Sequence, residues 1–479
     1  MKDYNTEKLK SWLTIPNKND KTKTKSLISD KLKVIDDIEF GRCIQVTDKI
    51  PKDEMIIKIP KIFLLNYLVI LKHLSYWNSN INDFLKKNIS NFNNEMFQTD
   101  EDEITQIYSN LKFEALMKLT SHQIITMYIV LEKKRKDKSY WNEMFNSFPQ
   151  MVEYSGIPMT WELSSDKIDN EIYKSIPKEM HEHSYKQIDQ FKKDIEIIKS
   201  LLKSFNIEIT ETEYLWAWLS INTRCLYYKL SNYIPITNKK DNQSSNITMV
   251  PFIDFINHQT ENSNCIAKQS KSGYEVYTIR EIEKDENIWF TYGPHNDDFL
   301  QCEYGFSTSK IINEEEEFKI FNKFNTINLS NIILKLLNNP KKKNVVNWLK
   351  QSGYYDDYTI GIEDINKDKI IVKPSYRTRI AISALIENEN EFKYNDNQTS
   401  YTCPPKLERF SMGNSDGEYY DNTIYVLLKK ICSKINNEID DKLKNLNNLK
   451  NSNDNNNKNI DLVIGLLNNK KIILNSLTK

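Results

Sequence analysis

The strand-forming segments of this chain come in two pieces separated by a long helical block, so its fold must bring those pieces together across that block. The first piece, Ile35 to Pro60, reads as short strands around turns. Phe40 to Ile44 and Met55 to Ile59 have strand character, Ile50 to Glu54 forms a turn, and Pro60 ends the unit. The second piece holds Met249 to Ile256, Tyr274 to Ile279 and Asn287 to Tyr292, with turn-prone residues at 271–273 and 283–286. Between them, from Ile62 to about Leu230, apolar residues recur at helical spacing, most clearly at Ile124 to Leu131. A second run begins at Thr210, where Thr210 and Glu213 fit a capping box, with Leu215, Trp218, Leu219 and Ile221 mainly on one face. After the acidic run Glu314 to Glu317 the pattern is mostly helical, clearest at Val345 to Leu349 and Ser375 to Ile386. The Asn-rich tract Asn445 to Asn459 reads as a flexible loop.

With 479 residues the chain is long enough for two or three cores. Lys plus Arg equals Asp plus Glu at 66 each, so the overall charge calls for neither nucleic acid nor an anionic membrane. Cys43, Cys225, Cys265, Cys302, Cys403 and Cys432 are scattered, with no close pair of the kind that binds zinc or cycles as a redox couple. Reduced thiols are expected. A membrane helix needs roughly 18 apolar residues, and the best candidate, Ile62 to Leu71, is broken by Asn66. The N-terminus lacks the apolar core of a secretory signal. A soluble cytoplasmic protein, with the nucleus as a second location, is the expectation; the lysine clusters do not amount to a targeting signal.

Two segments carry the chemistry. An apolar run from Pro251 leads through Asp254 to the pair Asn257 and His258. Farther on, Phe290 leads to Tyr292 and Gly293, and a second tyrosine follows at Tyr304 before Gly305 and Phe306. Taken singly, a tyrosine among 26 is a packing residue, a lone histidine is a satisfied one, and Gly41 is a turn. In this order and spacing the segments resemble the SET-domain protein methyltransferases, in the branch of the Rubisco large-subunit methyltransferase. That branch splits its SET domain with a helical insert.

The resemblance implies an α+β chain: a small-sheet SET fold split by the insert, then a mostly α-helical substrate-binding domain. Its parts would be an N-terminal extension (1–33), the first SET half (34–66), the insert (67–247), the second half (248–307) and the C-terminal domain (311–479). It also implies S-adenosylmethionine as the cofactor and no metal. Tyr292 matches the catalytic tyrosine, which orients the acceptor nitrogen. Tyr304 matches a second aromatic that contacts donor or acceptor. Asn257 and His258 match a pair beside the cofactor, His258 orienting and not acting as a base, with the Asn257 side chain reaching the amino-acid end. Gly41, Arg42 and Cys43 stand where the family usually has Gly-x-Gly beside the methionine end, so Cys43 departs from the pattern. A Cβ there raises the question of an unfavourable backbone angle. Arg224 matches an arginine near the cofactor carboxylate, and Asp254 shapes the acceptor pocket or is structural. Looser matches run through Trp141, Trp348 and Arg379.

Methyl transfer to an amine is an in-line displacement, and positioning supplies part of the barrier lowering. A free lysine at pH 7 is neutral only about once in 2,500, a penalty of about 4.6 kcal/mol that a dry, apolar channel reduces. The expectation is therefore a lysine N-methyltransferase acting as a monomer on a folded nonhistone protein, such as a ribosomal protein or a translation factor. Its alternatives are a histidine methyltransferase, an inactive SET-fold binding module suggested by Cys43, and a helical scaffold. Tyr304 leans toward lysine, because histidine-specific relatives depart from tyrosine there.

Overall fold

The computed structural model describes residues 6–14, 25–89, 101–230, 246–309, 321–366, 369–395, 400–452 and 458–478. They form two compact units: Met1–Tyr154 with Lys186–Gly293, and Ser155–Tyr185 with Pro294–Lys479. The insert at 67–247 is shared between the units, and the first unit ends at Gly293, inside the expected second half.

In the first unit the two β pieces pair directly. Met55–Pro60 lies antiparallel to Gly273–Thr278, flanked by Leu27–Ile28 on one side and Cys265–Gln269 on the other. Ile57, Ile59 and Val276 are fully buried, so this sheet contributes to the core. At its tightest point Gly273 has φ +155°, and a Cβ there would come 1.9 Å from the Ile59 carbonyl oxygen. Three further two-stranded ladders are short: Leu32–Asp37 with Gly41–Val46, Cys225–Tyr227 with Ile247–Met249, and a parallel pair of Asn257–His258 with Trp289–Phe290.

Tyr274 to Ile279 is found as Gly273–Thr278, but the other two strands of the second piece are shorter than expected. Met249 to Ile256 holds a strand only to Met249; the backbone then turns through Phe252 at φ +70° into the 3-10 turn Ile253–Phe255. Likewise only Trp289–Phe290 of Asn287 to Tyr292 is strand. Single hydrogen bonds to other strands replace long ladders: Ile288 N–H donates to the Ile44 carbonyl at 2.8 Å, and Gln259 N–H to the Phe290 carbonyl at 3.1 Å.

The insert packs around Ser121–Arg135, whose residues from Gln123 to Glu132 are all buried. Its buried charges are paired: Arg135 bonds Asp102 at 2.8 Å and Glu132 at 3.1 Å, while Tyr108 donates to Glu132 at 2.8 Å. The capping box at Thr210 and Glu213 is present and opens the helix Glu211–Arg224.

The second unit is helical with more strand than expected. Thr326–Asn328, Thr359–Asn366 and Lys369–Pro374 form an antiparallel sheet, and Lys393–Asn395 pairs with Ser400–Thr402. Val345 to Leu349 lies in the helix Lys343–Gln351, and Ser375 caps Tyr376–Ile386. Two long helices, Glu418–Asn451 and Lys458–Thr478, pair Asn436 with Asn475, Asp440 with Lys471 and Lys450 with Asp461, which makes them antiparallel. The tract expected as a loop is therefore largely corrected: 445–451 ends one helix and Lys458 begins the next. Residues 453–457 and the acidic run Glu314 to Glu317 lie outside the described residues.

Candidate active site

Seven of the residues singled out from sequence, together with Asp254, lie in the first unit, where hydrogen bonds tie most of them to one another. The arrangement starts from Gly41, which has φ +66° and opens the strand Gly41–Val46. Most residues with a Cβ adopt that angle only at a cost, whereas glycine does so freely. Asn257 locks the turn in place, its amide nitrogen donating to the carbonyls of Phe40 and Arg42, each at 3.1 Å. Arg42 in turn donates to the Ser147 carbonyl and lays its guanidinium 4.4 Å from the centre of the Phe255 ring.

His258 is buried next to Asn257 and connects this strand to Tyr292. The Tyr292 backbone N–H donates to His258 Nδ1 at 2.9 Å, so Nδ1 carries a lone pair. In the neutral ring the proton then sits on Nε2, 3.3 Å from the Thr260 hydroxyl. Tyr292 donates its hydroxyl to the Ile256 carbonyl at 2.9 Å, and its ring lies 5.1 Å from that of His258 and 5.2 Å from that of Phe290. In that bond the phenolic hydroxyl is the donor. Gly293, at φ +140°, turns the chain immediately afterwards.

Arg224 ends the helix Glu211–Arg224 and meets Asp254 across the short ladder, donating to its carboxylate at 2.9 Å and to its backbone carbonyl at 3.2 Å. Both side chains are largely buried, at 14% and 3% exposure. Burial works against the guanidinium charge, but the facing Asp254 carboxylate outweighs it and holds the arginine above its ordinary range. Asp254 is thus an ion-pair partner of Arg224.

Cys43 resolves one of the questions raised by the sequence. It has no positive φ; it pairs with Ile35 in the Leu32–Asp37 ladder and is fully buried. Burial first, then Asp37 and Asp36, push its thiol up to about 12. The left-handed residue of this turn is Gly41, not position 43.

Tyr304 belongs to the second unit, at the end of Asp297–Tyr304, where Gly305 at φ +81° stops the helix. Its ring lies 6.0 Å from Phe306. The sequence reading missed Phe255, the ring against Arg42, and the Ile256 carbonyl that receives the Tyr292 hydroxyl. A Phe inside an apolar run looks like any core residue, and a backbone acceptor has no side-chain signature.

Comparison with known proteins places two sequence families on the chain. The SET domain matches residues 41–293, and the C-terminal domain of ribosomal lysine N-methyltransferase 2 matches residues 325–479. Ribosomal lysine N-methyltransferase 2 of Saccharomyces cerevisiae is 25% identical over 89% of this chain and 92% of its own length. Ribosomal lysine N-methyltransferase set11 of Schizosaccharomyces pombe is 24% identical over 66% of this chain and 70% of its own. Among solved structures, the SET domain of LSMT bound to lysine and AdoHcy aligns with a TM-score of 0.58 at 13% identity, covering 99% of this chain and 90% of that one. That likeness concerns the fold.

Proposed function

The chain belongs to the SET-domain family, and from that premise we propose that it is an S-adenosylmethionine-dependent protein-lysine N-methyltransferase whose substrate is a ribosomal protein. The observation that carries this reading is Tyr292, fixed at both its backbone N–H and its hydroxyl beside the turn at Gly41. Two of the relatives carry the name ribosomal lysine N-methyltransferase, and the likeness to one of them spans nearly the whole chain. That substrate class suggests a cytoplasmic enzyme with access to the nucleus.

The residues present fit the cofactor. A Cβ built on Gly41 meets nothing within 4 Å, so there is open space beside this turn. Asn257 has committed its amide N–H groups to the turn, which leaves its carbonyl oxygen to accept from an ammonium group. Arg224 keeps its charge through Asp254 and has further N–H donors that suit a carboxylate. When bound, S-adenosylmethionine supplies an electrophilic methyl group on a positively charged sulfur.

The remaining work falls to the side chains. Tyr292 accepts from the incoming amine through its phenolic oxygen and so orients the nitrogen lone pair. His258 holds the Tyr292 backbone through Nδ1 and thereby fixes where that oxygen sits, an orienting role. The acceptor must lose its proton before transfer, at a cost of about 4.6 kcal/mol for an ordinary lysine at pH 7, and the half-buried aromatic surroundings of Tyr292 and Phe290 disfavour the ammonium.

The test is transfer of labelled methyl from S-adenosylmethionine to ribosomal proteins, located by peptide mass spectrometry. Label on one lysine, reduced on the order of 10²-fold in Tyr292→Phe with cofactor affinity within a few-fold, is the expected result. Label on histidine would replace lysine as the acceptor. Unchanged turnover in the variant would remove Tyr292 from the chemistry.

A further inference from the structure

A cavity of about 560 Å³ lies in the first unit and shares no lining residue with the methyl-transfer site. Its walls are apolar, from Leu64 and Leu230 and from Leu68 and Val69 at the start of the helix Tyr67–Trp77. Four lysines join them: Lys61 from the turn Lys61–Phe63, Lys72 one helical turn beyond Leu68, Lys229 after the strand Cys225–Tyr227, and Lys271 from a β-turn. No Asp or Glu among the described residues lines the cavity. Among the described residues none of these lysines has an ion-pair partner, in contrast to Lys49 and Lys134 of the same unit, which are paired with Glu281 and Glu213.

The cavity is held by hydrogen bonds as well as by packing. The Tyr228 hydroxyl donates to the Ser270 carbonyl at 3.1 Å, and the Lys229 N–H to the Gln269 side-chain oxygen at 2.7 Å, which ties two walls together. Asn66 caps the helix that forms a third. Burial pulls the Lys72 ammonium below its ordinary range, and Lys61 pushes it the same way, so two like charges lie close together beside apolar surface. Such a volume suits a small molecule, and such a charge pattern selects its sign.

We propose that this cavity binds a small amphipathic anion, an apolar body with a single carboxylate, sulfonate or phosphate head, seated with its body against Leu68 and Val69 and its head between Lys61 and Lys72. An anion there neutralises the two lysine charges while its body displaces water from apolar walls. Neither effect alone distinguishes the cavity from ordinary surface. The site is separate from the cofactor and acceptor positions, so it stands independently of the methyl-transfer reading.

The experiment uses the full-length protein saturated with S-adenosylhomocysteine, so that the cofactor position is blocked, and the fluorescent probe 8-anilinonaphthalene-1-sulfonate. Saturable binding is expected, displaced by dodecanoate and at least tenfold less well by uncharged dodecanol. The double variant Lys61→Met, Lys72→Met keeps apolar bulk and removes the charge; it should weaken the probe at least tenfold. Val69→Trp fills the cavity and should abolish binding with circular dichroism unchanged; should that variant fail to fold, the lysine variant still decides. Absence of saturable binding, equal competition by dodecanol, or an affinity unaffected by the lysine substitutions would each overturn the proposal.

Discussion

Asp254 determines how Arg224 can be used, because a guanidinium this deeply placed needs an opposite charge beside it. Asp254→Ala leaves that charge uncompensated, and the expected loss is about 3–5 kcal/mol of stability, read as a fall in melting temperature. A loss under about 1 kcal/mol would mean that water reaches the guanidinium freely. This pairing was not legible in the sequence, since residues 30 positions apart on a helix end and a 3-10 turn share no pattern. Gly41, Asn257, His258 and Tyr292 could be picked out only by the order and spacing in which they resemble a family pattern, since singly each looks like an ordinary turn or packing residue. The structure ties them together through the left-handed turn at Gly41, the Asn257 amide that bridges two carbonyls and the His258 nitrogen that accepts from the Tyr292 N–H. Cys43 could not be judged from sequence alone. Whether a Cβ is tolerated depends on φ, and the strained angle falls two residues earlier.

Among the elements, helices with a punctuated start were the readable ones. Thr210 with Glu213 satisfies backbone N–H groups that any helix leaves open, so the signal is local. The short strands of the second β piece were over-read because apolar content continues through Phe252 to Ile256 after the ladder has ended. The hairpin Thr359–Pro374 was missed for the opposite reason: Asp364, Asn366 and Lys369 dilute the alternation of Ile360, Ile370 and Val372, which are buried. At the Met55–Pro60 and Gly273–Thr278 pair, Gly273→Ala should cost more than the roughly 1–3 kcal/mol of backbone strain, because the new Cβ also meets the Ile59 carbonyl. Thermal unfolding of that variant gives the answer; an unchanged melting temperature would mean the two strands separate there without penalty.

Across the whole molecule, one buried histidine sets a pH dependence of stability. Burial holds His73 down at about 4; Glu132 opposes that, and Arg135 reinforces it. The unfolded chain takes up this proton near pH 6.5 and the folded one does not, so the contribution is complete above that value and is lost as pH falls toward 4. The expected loss is about 3 kcal/mol, visible as a slope of melting temperature against pH that flattens in His73→Gln. An identical slope in the variant would assign the dependence to other groups. Another consequence follows from the central strand Met55–Pro60, whose partner lies beyond the entire insert. During synthesis on the ribosome, that apolar strand emerges long before Gly273–Thr278 exists to cover it. Until then it presents an open edge to other chains, so a translation arrest or premature stop within the insert releases an aggregation-prone fragment, not merely an inactive one.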